Sequence, residues 1–172
     1  MKINTITGDI TTLHADAIVN SANRSILGGG GVDGAIHRVA GPELLDECLQ
    51  IRKEKLLNGL PVGSVIQTKG YKLPCKYVIH TVGPQHGKED LFLLKKCYLN
   101  SLILAETLGC KNVSFPAIST GAFNVPMDIS AKFAKEAIDE FILTKPQNVE
   151  TINFVLSNEI AKNIFELILN KN

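Results

Sequence analysis

The sequence predicts an α/β domain: a largely parallel sheet with helices on both faces. Three observations carry that prediction. Short apolar segments alternate along the chain with longer ones whose apolar residues repeat at helical spacing. One of the short segments, Tyr77-Val78-Ile79, is apolar without alternation, as a strand covered on both faces requires. The turns after Val19, Val82, Phe115 and Leu156 carry glycine or small polar residues. Right-handed crossovers bring such turns to one sheet edge, where ligands of open α/β sheets bind.

The elements follow in order. Lys2 to Thr7 reads as a strand, with Ile3 and Ile6 between threonines and a break at Gly8-Asp9. Asp16 to Val19 is a second short strand, ending in asparagines and a glycine loop. A helix starts near Val32, with Val32, Ile36 and Val39 apolar, and stops at Gly41. Pro42 suits the first position of the next helix, where Glu43, Asp46 and Glu47 favour the dipole. Leu44, Leu45, Cys48 and Leu49 give that helix an expected buried face before it ends past Lys55. Val62 to Thr68 and Lys76 to Val82 read as strands, closed by Gly83-Pro84. A long helix runs from about Asp90 to Leu108, with Leu91, Leu94, Tyr98, Leu102 and Ala105 on one face and Gly109 at its end. Val113 to Phe115 is a central strand, followed by a second unusual loop, Pro116 to Phe123. The next helix begins between Pro126 and Ser130, with Ile129, Phe133, Ala137 and Phe141 facing the core. Ile152 to Leu156 and Glu159 to Leu169 are the last strand and helix.

A chain of 172 residues is long enough for one well-filled core, and a single domain over residues 1–172 is expected. The formal net charge of +1 gives no global attraction to nucleic acid, and no Lys/Arg run makes a local one. The cysteines at 48, 75, 97 and 110 form no Cys-x-x-Cys pair and read as buried small hydrophobes in a reducing compartment. No apolar stretch reaches membrane-spanning length and the start has no apolar signal core, so a cytoplasmic protein is expected, with a monomer as the default.

The most informative stretch runs from Asn20 to Pro42. Gly28-Gly29-Gly30-Gly31 has no side chains to pack, and its use lies in letting a ligand approach main-chain N–H groups. Opening into a helix N-terminus, with its free N–H groups and partial positive charge, the run makes a site for phosphate or another anion. Gly29, Gly31 and Gly34 match a dinucleotide fingerprint formally. The match is rejected, because the turn does not follow its strand at once and the ribose-binding acid about 20 residues on is missing from a strand end. No Gly-Lys-Ser/Thr follows, so this is not a P-loop.

Asn20 and Asn23 leave the strand end together; their amides suit either sugar hydroxyls or turn chemistry. Asp33 reads as a helix cap or dipole partner, or else as a base beside a phosphoribosyl group. Asp9 could cap a turn or accept from an exocyclic amine such as that of adenine. His37 and His80 read as core histidines, and no His/Cys/Asp spacing supports a metal site. Phe123 covers a ribose or base, or packs as a lid on the core. Ser21 and Ser119 lack the elbow of a serine nucleophile.

Taken together, these stretches resemble the macrodomain family, and within it the MacroD-type ADP-ribosylhydrolases. The residues that carry the resemblance are Gly8 to Thr11, Asp16 to Asn23, Gly28 to His37, Ala40-Gly41-Pro42, His80 to Pro84, and Phe115 to Gly121, in family order across nearly the whole chain. The resemblance implies a three-layer αβα fold with a mixed sheet and a cleft for ADP-ribose. It implies removal of mono-ADP-ribose from acidic side chains, or of acetyl from O-acetyl-ADP-ribose, without a metal or cofactor. It matches Asp9 to an adenine-binding acid and Ile10 to a backbone contact beside it. Asn23 and Asp33 match the catalytic pair, and Gly30, Gly31 and Val32 the loop around the distal ribose and diphosphate. Ser119, Thr120, Gly121, Ala122 and Phe123 match a second phosphate loop, and Asn20 is placed among the binding residues. The chain departs from the family at Asn124-Val125-Pro126, where an aromatic is common, and at Leu156-Ser157-Asn158, which offers none to stack on adenine. A non-catalytic ADP-ribose reader is the alternative. A nucleic-acid module is disfavoured by the absence of basic runs and aromatic clusters.

Overall fold

The computed structural model describes residues 1–172. Its strands are β1 (Lys2–Thr7), β2 (Ala17–Ala22), β3 (Val65–Lys69), β4 (Tyr77–Val82), β5 (Asn112–Phe115) and β6 (Thr151–Leu156). Its helices are α1 (Gly31–Ala40), α2 (Pro42–Glu54), α3 (Leu93–Thr107), α4 (Met127–Leu143) and α5 (Glu159–Leu169). The strands make one sheet in the order β1-β6-β5-β2-β4-β3. Every pair is parallel except β3 with β4, so the sheet is mixed at one edge. The loops after β1, β6, β5, β2 and β4 therefore share one edge.

Alternation along the strands divides the core. Ala17, Val19, Ile79, Val113, Phe115, Ile152 and Phe154 point to the side of α3, α4 and α5. Ile18, Ala22, Val78 and Val82 point to the side of α1 and α2. The result is three layers, helices on sheet on helices. The larger core holds an aromatic chain: Tyr98 lies 5.6 Å from Phe115, Phe115 5.6 Å from Phe154, and Phe154 5.2 Å from Phe165 between ring centroids.

Several expectations are corrected. β2 extends three residues beyond Val19, because Asn20, Ser21 and Ala22 stay in register with His80, Thr81 and Val82 of β4. β3 begins at Val65 rather than Val62: Gly63 has φ +89° and donates to the Val82 carbonyl, and Ser64 closes a turn onto Pro61. α2 buries Leu44 and Cys48 but leaves Leu45 and Leu49 exposed. α1 buries Asp33, Gly34, Ile36 and Ala40, so its inward face carries an acid while Val39 is exposed. All four thiols are free, and burial pushes Cys48 up to about 12 and Cys75, Cys97 and Cys110 up to about 11.

The loop after β5 is fixed from below. The Tyr98 hydroxyl accepts from the Ile118 N–H at 3.0 Å and pairs with the Ser130 hydroxyl at 2.7 Å. Ser130 also donates to the Ile118 carbonyl at 2.8 Å. Tyr98→Phe strips a buried N–H of its partner, which costs about 1–3 kcal/mol. Urea unfolding is expected to show that loss with an unchanged denaturant slope; an unaltered midpoint would show that the hydroxyl does not hold the loop.

Candidate active site

The glycine loop lies between β2 and α1. Gly30 is the N-cap of α1, and no side chain caps the helix, so its first N–H groups stay open. Gly29, Gly30 and Gly31 are exposed. The loop is drawn tightly onto its helix: a Cβ on Gly34 would sit 2.5 Å from the Gly29 carbonyl oxygen. That contact is the physical reason for glycine at position 34.

Asn23 and Asp33 converge on this loop. A Cβ on Gly29 would lie 3.1 Å from Asp33 Oδ2 and 3.2 Å from Asn23 Nδ2. Asn23 is anchored by its oxygen, which accepts from the Ser25 N–H at 3.1 Å and hydroxyl at 2.5 Å. This fixes the amide orientation, and Nδ2 donates one hydrogen to the Gly28 carbonyl at 3.0 Å. Its second hydrogen has no protein acceptor.

Asp33 does not cap α1. It is only 4% exposed, and its Oδ1 accepts from Asn20 Nδ2 at 2.8 Å. His37 Nε2, one turn on, stands 3.5 Å from the same oxygen. Oδ2 has no hydrogen bond inside the protein and is not enclosed. Burial pushes the Asp33 carboxyl above the usual carboxylate range, while the Asn20 bond and His37 pull it back.

Asn20 is the main correction among the site residues. It is fully buried within β2 and offers a ligand no surface. Its amide lies between Asp33 and His80, with Nδ2 at 3.1 Å from His80 Nδ1. His80 is also fully buried, and burial pushes it down to about 3, so the ring is neutral. Sequence reading placed His80 in the core but missed this link. The signal is the register, in which Asn20 stands directly opposite His80, and register is not visible in one sequence.

Asp9 takes the capping geometry. Its Oδ1 accepts from the Thr11 N–H at 2.9 Å and hydroxyl at 2.7 Å, bonds that hold its carboxyl below the usual range. The residue is exposed, and Ile10 beside it is buried in the smaller core. Val32 is half-buried.

Of the second loop, Ser119 is buried at φ +66°, and its N–H faces Ser21 Oγ at 3.5 Å. Its own hydroxyl has no partner, and a Cβ on Gly83 would overlap it, so glycine at 83 is what admits Ser119. Thr120 turns back to the Ala117 carbonyl, and Gly121 and Ala122 are exposed. Phe123 is half-buried outside both core clusters, and its carbonyl accepts from the His86 N–H at 2.9 Å, joining the loops after β4 and β5. No group of three or more His, Cys, Asp and Glu side chains is gathered where it could hold a metal ion. No helix is long and apolar enough to cross a membrane.

A sequence model of the Macro domain matches residues 19–134, the span from β2 into α4. The chain belongs to the Macro domain family. Across 98% of this macrodomain and 95% of its relative, it is 46% identical to a protein of Citrobacter rodentium named O-acetyl-ADP-ribose deacetylase. A Macro domain-containing protein of Methanosarcina mazei is 48% identical over 92% of this chain and 82% of its own. The macrodomain also superposes on that of Oceanobacillus iheyensis, solved with ADP, at a TM-score of 0.90 and 41% identity, covering 96% of this chain and 88% of the other.

The environment of Asp33 gives a test that needs no substrate. Its raised carboxyl binds a proton more tightly folded than unfolded. Its contribution therefore falls as pH rises from the ordinary aspartate value through the raised one. Asp33→Asn keeps an acceptor for Asn20 and removes the charge. The variant is expected to gain stability over the parent at about pH 7 and to lose that gain near about pH 3, measured by urea unfolding. A difference that is constant with pH, or larger in acid, would refute the buried-charge description.

Proposed function

We propose that this macrodomain is an ADP-ribosyl ester hydrolase. It removes mono-ADP-ribose from acidic side chains of proteins and deacetylates O-acetyl-ADP-ribose. One observation carries the reading: an amide hydrogen of Asn23 and the open oxygen of Asp33 meet at one glycine of an exposed, anion-receptive loop. The relative named as a deacetylase and the neighbour solved with ADP support the same ligand class.

In this reading the main-chain N–H groups at Gly30, Gly31 and Val32 hold the diphosphate from one side. Ser119, Thr120, Gly121 and Ala122 hold it from the other, and Phe123 covers the distal ribose. Asp9 and the backbone at Ile10 receive the adenine end. The unclaimed hydrogen of Asn23 meets a distal ribose hydroxyl. Asp33 Oδ2 orients water toward C1″ and takes its proton. Water oxygen bonds to C1″, the C1″–O bond to the acceptor breaks, and the electron pair leaves with the acceptor carboxylate. With the acetylated ligand, the same water adds to the ester carbonyl carbon. The bond from that carbon to the ribose oxygen breaks, the ribose oxygen keeps the electron pair and takes back the proton from Asp33, and acetate departs. Proton transfer of this kind contributes ~10² to 10⁴-fold.

The test is release of free ADP-ribose from a mono-ADP-ribosylated acceptor in chelator, wild type beside Asp33→Ala. Turnover is expected to fall by about 10² or more in the variant, while calorimetric affinity for ADP-ribose changes little. The wild-type rate is expected to rise with pH through a limb above the usual carboxylate range, since only the ionised acid accepts the proton. Equal turnover in both proteins would remove Asp33 from the chemistry; binding without turnover in the wild type would leave a reader.

A further inference from the structure

A line of polar side chains runs behind Asp33, through a layer that is otherwise apolar. Asn20, His80 and Thr68 are all 1% exposed or less. Beginning at the site, Asn20 Nδ2 reaches Asp33 Oδ1 at 2.8 Å and His80 Nδ1 at 3.1 Å. His80 Nε2 reaches the Thr68 hydroxyl at 2.9 Å, and that hydroxyl donates to the Lys69 carbonyl at 3.1 Å.

The directions of these bonds can be assigned. Thr68 gives its hydrogen to a main-chain carbonyl, so it accepts from His80, and Nε2 carries the ring proton. Nδ1 is then bare and accepts from Asn20. The Asn20 amide thus has both hydrogens committed, one to the ring and one to the carboxylate. A flipped amide would set its oxygen against Oδ1 and against the ring lone pair together. Its oxygen is instead left without a partner inside the protein, a cost accepted for the orientation of the nitrogen.

We propose that Asn20, His80 and Thr68 are positioning residues that lock Asp33 Oδ1 and keep the acid ionised, leaving Oδ2 as its one working oxygen. None of the three touches the site. They act in series: β3 and β4 set the ring, the ring sets the amide, and the amide sets the carboxylate. The catalytic consequence rests on the hydrolase reading above; the physical claim about Asp33 does not.

The other groups facing this line are His37 of α1 and Cys48 of α2. His37 is 3.5 Å from Asp33 Oδ1, with its ring centroid 6.5 Å from that of His80. The Cys48 thiol is neutral around pH 7, because burial pushes it up to about 12. Because His37 stands so close to the carboxylate, the variants below leave it in place.

Nitrogen-15 spectroscopy of the unmodified protein at about pH 7 is expected to find His80 as the Nε2–H tautomer with Nδ1 bare. An Nδ1–H tautomer or an imidazolium overturns the proposal, and this readout stands even where a variant fails to fold. Two variants then separate positioning from bulk. His80→Phe removes the acceptor; His80→Asn keeps one at the Nδ1 position. His80→Phe is expected to move the carbon-13 titration of Asp33 to higher pH and the acid limb of the rate profile with it. It is expected to lower kcat roughly 10- to 100-fold, as misplacement of a reacting group does, with ADP-ribose Kd within about twofold. His80→Asn is expected to recover most of both. An Asp33 titration unchanged in a folded His80→Phe overturns the proposal. If wild type shows no turnover, the hydrolase reading falls, and the Asp33 titration alone decides this one.

Discussion

A carboxylate that is 4% exposed imposes most of what is unusual in this structure. Burying a charge requires a hydrogen-bond donor aimed at it. Asn20 supplies the donor, which puts an amide in the interior of a central strand. The amide has a second hydrogen, so the facing strand must offer an acceptor, and His80 does. The ring then needs an acceptor for its own proton, and Thr68 does that from the antiparallel edge strand. One charge on α1 thus fixes residue types on β2, β4 and β3. The same helix carries Gly34, where any side chain would strike the Gly29 carbonyl. Charge and glycine contact together place the loop.

The two acids of the sheet edge show how environment divides similar groups. Asp9 is exposed, takes two hydrogen bonds from Thr11 and sits below the usual carboxylate range. Asp33 is buried, takes one from Asn20 and sits above it. The first is a fixed negative charge across ordinary pH. The second is held closer to exchanging a proton, which is what the proposed hydrolysis would ask of it. The loop after β5 has a matching division: Tyr98 and Ser130 clamp it from the core, while Gly121 and Ala122 stay open on the outer side.

Much of this was legible in the chain. Apolar spacing located all six strands and five helices, and Pro42 marked the first residue of α2. Asn23 and Asp33 stood out because an amide and an acid beside four glycines have little use in packing. What was not legible depends on pairing. Asn20 looks like a strand-end residue until β2 and β4 are aligned, and His80 then becomes its partner rather than an ordinary core histidine. Gly83 looks like a strand stop until Ser119 is found in the space its side chain would fill. The inward turn of Asp33 was masked by Val39, whose apolar side chain implied a different buried face for α1.

The central claim is that glycine-lined main chain grips a diphosphate while Asn23 and Asp33 meet the sugar beyond it. A crystal structure of this protein with ADP-ribose tests it most directly. The account requires the diphosphate on the N–H groups around Gly30 to Val32, with the distal ribose between Asn23 Nδ2 and Asp33 Oδ2. A ligand bound with its distal ribose away from that pair, or with the glycine loop untouched, would contradict it.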